Sequence, residues 1–362
     1  MVANWGGIFQ LGFFPGRMTW LMANTVPYYV VFDANVWVTE RLLQSSLGSA
    51  VLFAVTGSHA LIGLPEVVEI EVRSVLTTLA EEAVGELGRS TRLLRQLSGQ
   101  RAMHHVPTAE AIQEGMQQRW ADLGGILKRI PLSLEQAKAA LRRVVEKISP
   151  SGVNNEQFRD CCIWEAAFEL AAERVVHLVT NDSAFYEGRD RSRGLLAEAL
   201  RQELARCGRE IRIYPSVRDL LSRMDTAVLA LDEAAIAEAI VRAVTPRARE
   251  IAAKEARGFE LGRLLGTRIS GYATPKPSVV AVSFQVRFEL EGVELQEDDD
   301  HKVDASLRVA GSCSYEPKLN EVSEIEIKET STSVPRGGFW QTTHSGGHYE
   351  SWAKKTRIIG DA

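Results

Sequence analysis

Two short runs of the chain are apolar without alternation, residues 28–32 (YYVVF) and 175–180 (VVHLVT), and 211–214 (IRIY) is a third strand candidate. Adjacent aromatic and β-branched residues of this kind suit strands buried on both faces of a parallel sheet. Between them the apolar positions recur at helical spacing. One helix is predicted after Asn35 to about residue 55, and another over the apolar-acidic run 66–72, with Pro65 in its first turn, where its missing N–H costs nothing. Gly63-Leu64-Pro65 reads as punctuation ahead of that helix. Residues 81–149 read as helices broken by Gly99, Pro107, Gly124-Gly125 and Pro131, and Asn154-Asn155 offers an N-cap to a helix over about 156–173. A short helix through Leu221 follows Pro215-Ser216. Strands separated by helices in this way predict an α/β domain with a parallel sheet.

Near residue 224 the alternation stops. Helical, Ala-rich sequence is expected to continue to about Arg268, and from Val279 the period changes to two, with Val280, Val282, Phe284, Val286, Phe288 and Leu290 on one side of a half-buried antiparallel strand. Glu297-Asp298-Asp299-Asp300 reads as a hairpin tip, with return strands over 303–310 and 324–329. The expected organisation is a tail over 1–27, an α/β domain over 28–222 with a helical insertion at about 81–150, a helical linker over 223–270, an antiparallel β (α+β) module over 275–335 and an irregular tail over 336–362.

Composition limits the class rather than the fold. The chain has 362 residues, 45% hydrophobic and 25% charged, which excludes disordered, collagen-like and disulfide-scaffold classes and, at about 150 residues per domain, suggests two domains. The net charge of -5 is unevenly spread: residues 275–335 hold six basic and thirteen acidic residues, whereas residues 1–274 balance at 32 each. The acidity therefore belongs to the β module. Cys161, Cys162, Cys207 and Cys313 show neither Cys-x-x-Cys nor zinc spacing, which fits a reducing compartment. The apolar stretch 18–32 behind Arg17 is interrupted by Pro27 and leads into the first strand rather than to a small-residue cleavage site. No later segment has the roughly 18 uninterrupted apolar residues of a membrane span, so a cytoplasmic protein is expected.

Open α/β sheets place their sites at the carboxyl ends of strands. Asp33 follows the first strand and Asp182 the second, while Asp160 lies in the first turn of the long helix and Glu71 on the helix opened by Pro65. Four converging carboxylates would raise one another's pKa, and a hard divalent cation with oxygen ligands, Mg²⁺ or Mn²⁺, removes the conflict. Asp33 and Asp182 also suit helix caps, Asp160 could pair with Arg159, and Glu66 and Glu69 compete with Glu71.

The segments Phe32-Asp33-Ala34-Asn35, Pro65-Glu66-Val67-Val68-Glu69-Ile70-Glu71-Val72, Phe158-Arg159-Asp160-Cys161-Cys162-Ile163-Trp164-Glu165 and Val179-Thr180-Asn181-Asp182 resemble, in order and context, the four acidic motifs of the PIN domain ribonucleases. The resemblance covers roughly residues 28–222. It implies a three-layer α/β/α fold, a Mg²⁺ or Mn²⁺ site formed by Asp33, Glu71, Asp160 and Asp182 with support from Asn35, Thr180 and Asn181, and metal-dependent hydrolysis of RNA. The long insertion and the added β module depart from small toxin-type members, and an antitoxin or another protein as partner of the β module stays open.

Arg89, Arg92, Arg95 and Arg101, with no acid between Glu86 and Glu110, could gather on one helical face as an RNA-backbone contact or form a plain solvated face. His105 is not expected to bind metal. The basic stretch 242–268 is a weaker RNA contact of the same kind. Phosphate-loop and dinucleotide motifs are absent. The reading is thus a metal-dependent endoribonuclease, with a DNA or flap-type nuclease and a catalytically silent RNA-binding or scaffold protein as the alternatives.

Overall fold

The computed structural model describes residues 28–98, 107–152, 157–224, 232–292, 305–336, 339–346 and 355–359. The tail 1–27, Arg101, His105, Asn154-Asn155 and the run Glu297-Asp298-Asp299-Asp300 lie outside the described residues.

Five parallel strands form the first sheet: β1 (Tyr29–Phe32), β2 (Leu61–Pro65), β3 (Leu127–Ile130), β4 (Val176–Val179) and β5 (Ile211–Tyr214), in the order β3-β2-β1-β4-β5. The chain builds outward from β1 to β3, then returns to lay β4 against the other side of β1, pairing Phe32 with Val179. Right-handed crossovers on either side of that switch put helices on opposite faces, so β1 and β4 are buried throughout. The connecting helices are α1 (Ala34–Thr39), α2 (Ser46–Gly57), α3 (Glu66–Ser98), α4 (Ala109–Asp122), α5 (Leu134–Glu146), α6 (Phe158–Leu170), α7 (Glu198–Cys207) and α8 (Val217–Leu221). Their apolar faces enclose a core that includes Phe32, Trp37, Leu64, Trp164 and Phe185.

Several expectations are corrected. The single helix expected after Asn35 is two, because Arg41, Leu42 and Leu43 adopt left-handed φ of 50°, 54° and 60° and turn the chain between α1 and α2. Gly63-Leu64-Pro65 is strand rather than punctuation. A Cβ on Gly63 would lie 2.5 Å from Leu170 Cδ1 on α6, so the glycine marks a close helix-sheet approach, and Pro65 ends the strand, just before α3. The segment expected to be all helix contains β3, an edge strand whose Lys128 and Arg129 face solvent and pair with Glu173 and Glu69, which hides its period. The N-cap of α6 is Gln157, without a side-chain cap bond.

The helical linker expected over 223–270 ends early. Helix α9 (Glu233–Glu255) is followed by strand β6 (Phe259–Ala273), where glycines 258, 262 and 266 weaken helix and Thr267 and Ile269 favour strand. The irregular tail likewise contains β10 (Phe339–Gly346) and β11 (Lys355–Ile359). With β7 (Val280–Gly292), β8 (Ser306–Glu316) and β9 (Glu321–Arg336) these form a six-stranded antiparallel sheet, ordered β11-β10-β9-β8-β7-β6. One face of this sheet packs Val282, Phe284, Val286, Leu307 and Val309 against Ile236, Ile240 and Val244 of α9. Near one end of the other face, Tyr272 and Ala281 join the core of the parallel unit.

That junction continues as a charged cluster. Glu40, the C-cap of α1 and 4% exposed, accepts from Lys328 Nζ on β9 at 2.5 Å and from the Ser45 hydroxyl, while Arg41 pairs with Glu326 at 2.6 Å. Ser46 Oγ lies 3.0 Å from Ser314 Oγ on β8. Breaking a fully buried ion pair costs about 3–5 kcal/mol by leaving one charge unmatched. Lys328 is partly exposed, so Lys328→Met is expected to cost about 2 kcal/mol, and the double variant Glu40→Gln/Lys328→Met to recover most of it; urea unfolding of the full chain measures both.

Candidate active site

The four acids lie around the carboxyl edge of the parallel sheet at β1 and β4, near enough for their charges to act on one another. Asp33 follows β1 directly, is buried, and caps α1 by accepting from Ala34 N at 2.6 Å. Its other oxygen accepts from the Thr180 hydroxyl at 2.8 Å, and the same hydroxyl oxygen accepts the Asp182 N–H at 3.0 Å. Thr180, fully buried at the end of β4, is therefore a clasp between the two strand-end aspartates. Asp182 caps a 3₁₀ turn over Ser183–Phe185 by accepting from Ala184 N at 2.7 Å, and Gln157 Nε2 donates to its second oxygen at 3.0 Å. Asp160 projects from the first turn of α6. Glu71, on α3, is tied to α6 by Arg159 at 2.5 Å.

Burial and mutual repulsion act on this group together. Desolvation, opposed by the Thr180 and Ala34 hydrogen bonds and reinforced by the charges of Glu71 and Asp182, raises the Asp33 pKa to about 6. Asp160 rises to about 8, chiefly through burial and then through Asp182 and Asp33, with Arg159 opposing and Glu71 adding to the shift. Glu66 and Glu69 point elsewhere: Glu66 accepts from Leu132 N, and Glu69 pairs with Arg73 and Arg129. Of the three glutamates opening α3, Glu71 is the one whose charge acts on Asp33 and Asp160.

A comparison with known families matches the PIN domain over residues 30–185, a span that includes all four acids and Thr180. Residues 30–185 are a PIN domain. The match ends at Phe185 and leaves the antiparallel sheet outside it. No curated protein and no solved structure matches the chain. PIN domains are in general nucleases and typically use divalent metals.

The PIN domain's donor set suits such a cation in chemistry more than in closure. Among the described residues, no three His, Cys, Asp or Glu side chains are drawn close enough to enclose a metal. Mg²⁺ seldom needs such a cage; it keeps several waters and takes one or two carboxylates directly. Two carboxyls whose pKa is raised chiefly by burial and further by neighbouring acids, and the partnerless buried oxygens Gln157 Oε1 and Asn181 Oδ1 beside Asp182, are acceptors that a hydrated cation would satisfy.

Asn35 lies part-exposed in the first turn of α1, and the Asn181 carbonyl accepts from Arg191 at 2.9 Å. Sequence reasoning missed Gln157 and the Arg159–Glu71 pair, because neither a glutamine at a helix start nor one arginine among 42 basic residues carries a distinguishing signal. It also missed Tyr186, whose hydroxyl donates to the Thr180 carbonyl at 2.7 Å. Arg89, Arg92 and Arg95 are exposed on the far part of α3, 18 to 24 residues past Glu71, which at 1.5 Å per residue is about 27–36 Å along the helix.

A carboxyl whose pKa is raised by folding binds its proton more tightly in the folded state, so stability falls as pH climbs from the unfolded value near 4 to the folded one. For Asp33 that window closes at about 6 and for Asp160 at about 8. In EDTA, the thermal midpoint of the chain is expected to fall between pH 5 and pH 8. Asp160→Asn should flatten the fall and stand above wild type at pH 8 by roughly 4–8 °C, for a gain of about 2 kcal/mol. Equal midpoints at pH 8 would contradict this account of Asp160.

Proposed function

We propose that this protein is a metal-dependent endoribonuclease that hydrolyses phosphodiester bonds at Asp33, Glu71, Asp160 and Asp182. The observation that carries the reading is the gathering of four carboxylates from β1, α3, α6 and β4 at the switch point of a PIN domain, with two of them raised in pKa by burial and by their neighbours. RNA as the substrate rests on the resemblance to PIN ribonucleases, and the nuclease unit is proposed to span residues 28–222.

The chain's own residues divide the work as follows. Thr180 and the Ala34 N–H hold Asp33 in one orientation, Thr180 and Gln157 do the same for Asp182, and Arg159 restrains Glu71. Asp160 and Asp33 supply negative charge in a place from which water is partly excluded, where that charge acts strongly. Mg²⁺ or Mn²⁺ bound there supplies charge to a non-bridging phosphate oxygen and lowers the pKa of a water. Arg89, Arg92 and Arg95 are proposed contacts for a substrate long enough to run along α3.

A silent RNA-binding or scaffold role has one specific observation in its favour: Asp33 and Asp182 both act as helix caps, a sufficient structural employment for each. Metal titration separates the readings. Ligand binding to the folded state stabilises by mass action, so millimolar Mn²⁺ should raise the thermal midpoint of the wild type and leave Asp33→Ala/Asp182→Asn unmoved. A 1 Å misplacement of a catalytic group already costs about 10²-fold, so the same double variant should lose at least that much Mn²⁺-dependent cleavage of single-stranded RNA. Unchanged cleavage refutes the site. Parallel assays on single-stranded and branched DNA decide between an RNase and a DNA or flap-type nuclease.

A further inference from the structure

Among the described residues, the face of the antiparallel sheet that meets the PIN domain is covered only near one end. Along β7 the side chains on this face run from Ala281, in the shared core, through buried Ser283 and half-buried Gln285 to exposed Arg287. The register places Arg287 directly opposite Arg308 of β8, Arg308 opposite Ser331 of β9, and Ser331 opposite His344 of β10. At about 4.8 Å per strand, this row crosses the sheet for about 14 Å. On the neighbouring strand, exposed Arg268 of β6 stands opposite Gln285, one step along the same face.

Two like charges directly opposite on adjacent strands destabilise a sheet. Nothing within the described residues offsets this pair well. Arg287 has no ion pair, and Arg308 reaches Glu329 only at 3.9 Å, with both side chains about half exposed or more, where such contacts contribute little. The closest acid in register, Glu289, is taken by Arg263 at 2.7 Å. The acids of residues 294–304 lie outside the described residues. The module is acidic as a whole, so an unneutralised arginine pair on its open face is a local reversal of its charge.

We propose that this open face binds the phosphodiester backbone of a single-stranded nucleic acid through Arg287 and Arg308, with His344 at the end of the row. Guanidinium groups match phosphate oxygens two at a time, and a row of them crossing neutral serine and glutamine positions fits a repeating anion better than a single charge. The occupant is a nucleic-acid strand because the surface continues from a domain whose family acts on nucleic acids. Delivery of that strand to the four acids rests on the nuclease reading; the binding itself does not.

The test uses the full chain in EDTA, so that nothing is cut, and a labelled single strand of about 20 nucleotides, as RNA and as DNA, followed by fluorescence anisotropy from roughly 50 to 250 mM KCl. Arg287→Gln/Arg308→Gln is expected to bind about tenfold more weakly. Its salt slope should be shallower by about 1.4, the sum of about 0.7 for each lost contact to a single strand. Arg142→Gln/Arg206→Gln, exposed arginines on α5 and α7, removes the same net charge and should bind as wild type. The thermal midpoint of the sheet variant should stay level or rise, because a repulsion has been removed. Equal losses in the two double variants, or an unchanged salt slope in the sheet variant, would overturn the proposal. So would displacement of RNA by poly-L-glutamate at equal charge concentration, which would assign the face to acidic polypeptides. A chain that cuts nothing yet shows the expected anisotropy change would sink the nuclease reading and leave this one standing.

Discussion

A carboxylate buried at the end of a parallel strand is the constraint around which the PIN domain is arranged. Asp33 sits where α1 begins, with one oxygen on the helix's first free N–H and the other on Thr180, and it stays hard to ionise because solvent is excluded and acids surround it. The Thr180 bond requires β4 to lie beside β1 in one register, with Phe32 against Val179, so that Thr180 arrives within reach. A one-residue slip would turn Thr180 away and bring a neighbouring side chain, Val179 or Asn181, in its place. Site and sheet are therefore one requirement: the apolar runs that bury β1 and β4 also fix the separation of their terminal acids.

This dependence extends to the antiparallel sheet. Helix α1 is only six residues long, with Asp33 at its N-cap and Glu40 at its C-cap, and Glu40 is gripped by Lys328 of β9. Beyond Glu40 come three consecutive left-handed residues, an arrangement that non-glycine residues adopt at a cost of order 1–3 kcal/mol each unless their surroundings hold them. Arg119 of α4 supplies part of that hold by donating to the carbonyls of Leu42 and Leu43 at 3.0 and 3.1 Å. Gly48 of α2 supplies room, since a Cβ there would lie 2.6 Å from Leu43 Cα. The second sheet thus bears on the short helix that carries the first site carboxylate, and its junction with the PIN domain is part of how that helix is positioned.

What was legible in the sequence follows from how each residue's environment is encoded. Strands β1 and β4 are buried on both faces and announce themselves as apolar runs, and β5 is a shorter apolar run interrupted only by exposed Arg212; Asp33 and Asp182 are then found simply by reading where the first two runs stop. Strand β2 was lost because Gly63 answers to the passage of α6 rather than to any local preference, and β3 because an edge strand wears its charges outward. Strand β6 lies at the edge of its sheet with most of its residues at least partly exposed, so neither period shows. Among Glu66, Glu69 and Glu71 the resemblance to PIN ribonucleases picks Glu71, which acidity alone cannot do, since the three differ only in what surrounds them after folding. Gln157 and Arg159 belong to the same class: their roles come from neighbours 25 and 88 positions away in the chain.

The distribution of charge is the remaining link between the two units. A nucleic acid approaching four clustered carboxylates meets repulsion unless a cation stands between them, and a net charge of -5 gives no general attraction to compensate. Affinity must then come from places where the local sign is reversed. The exposed arginines of α3 lie far along a helix that begins at the acids, and the Arg287–Arg308 pair lies on a sheet whose other strands hold α1 in place. Both are displaced from the four acids, where Arg159 already pairs with Glu71 and opposes the shift of Asp160; further cations packed there would weaken the negative field that favours a divalent ion. On the proposed reading, separating the binding charge from the four acids would let an acidic chain hold a polyanion without neutralising them.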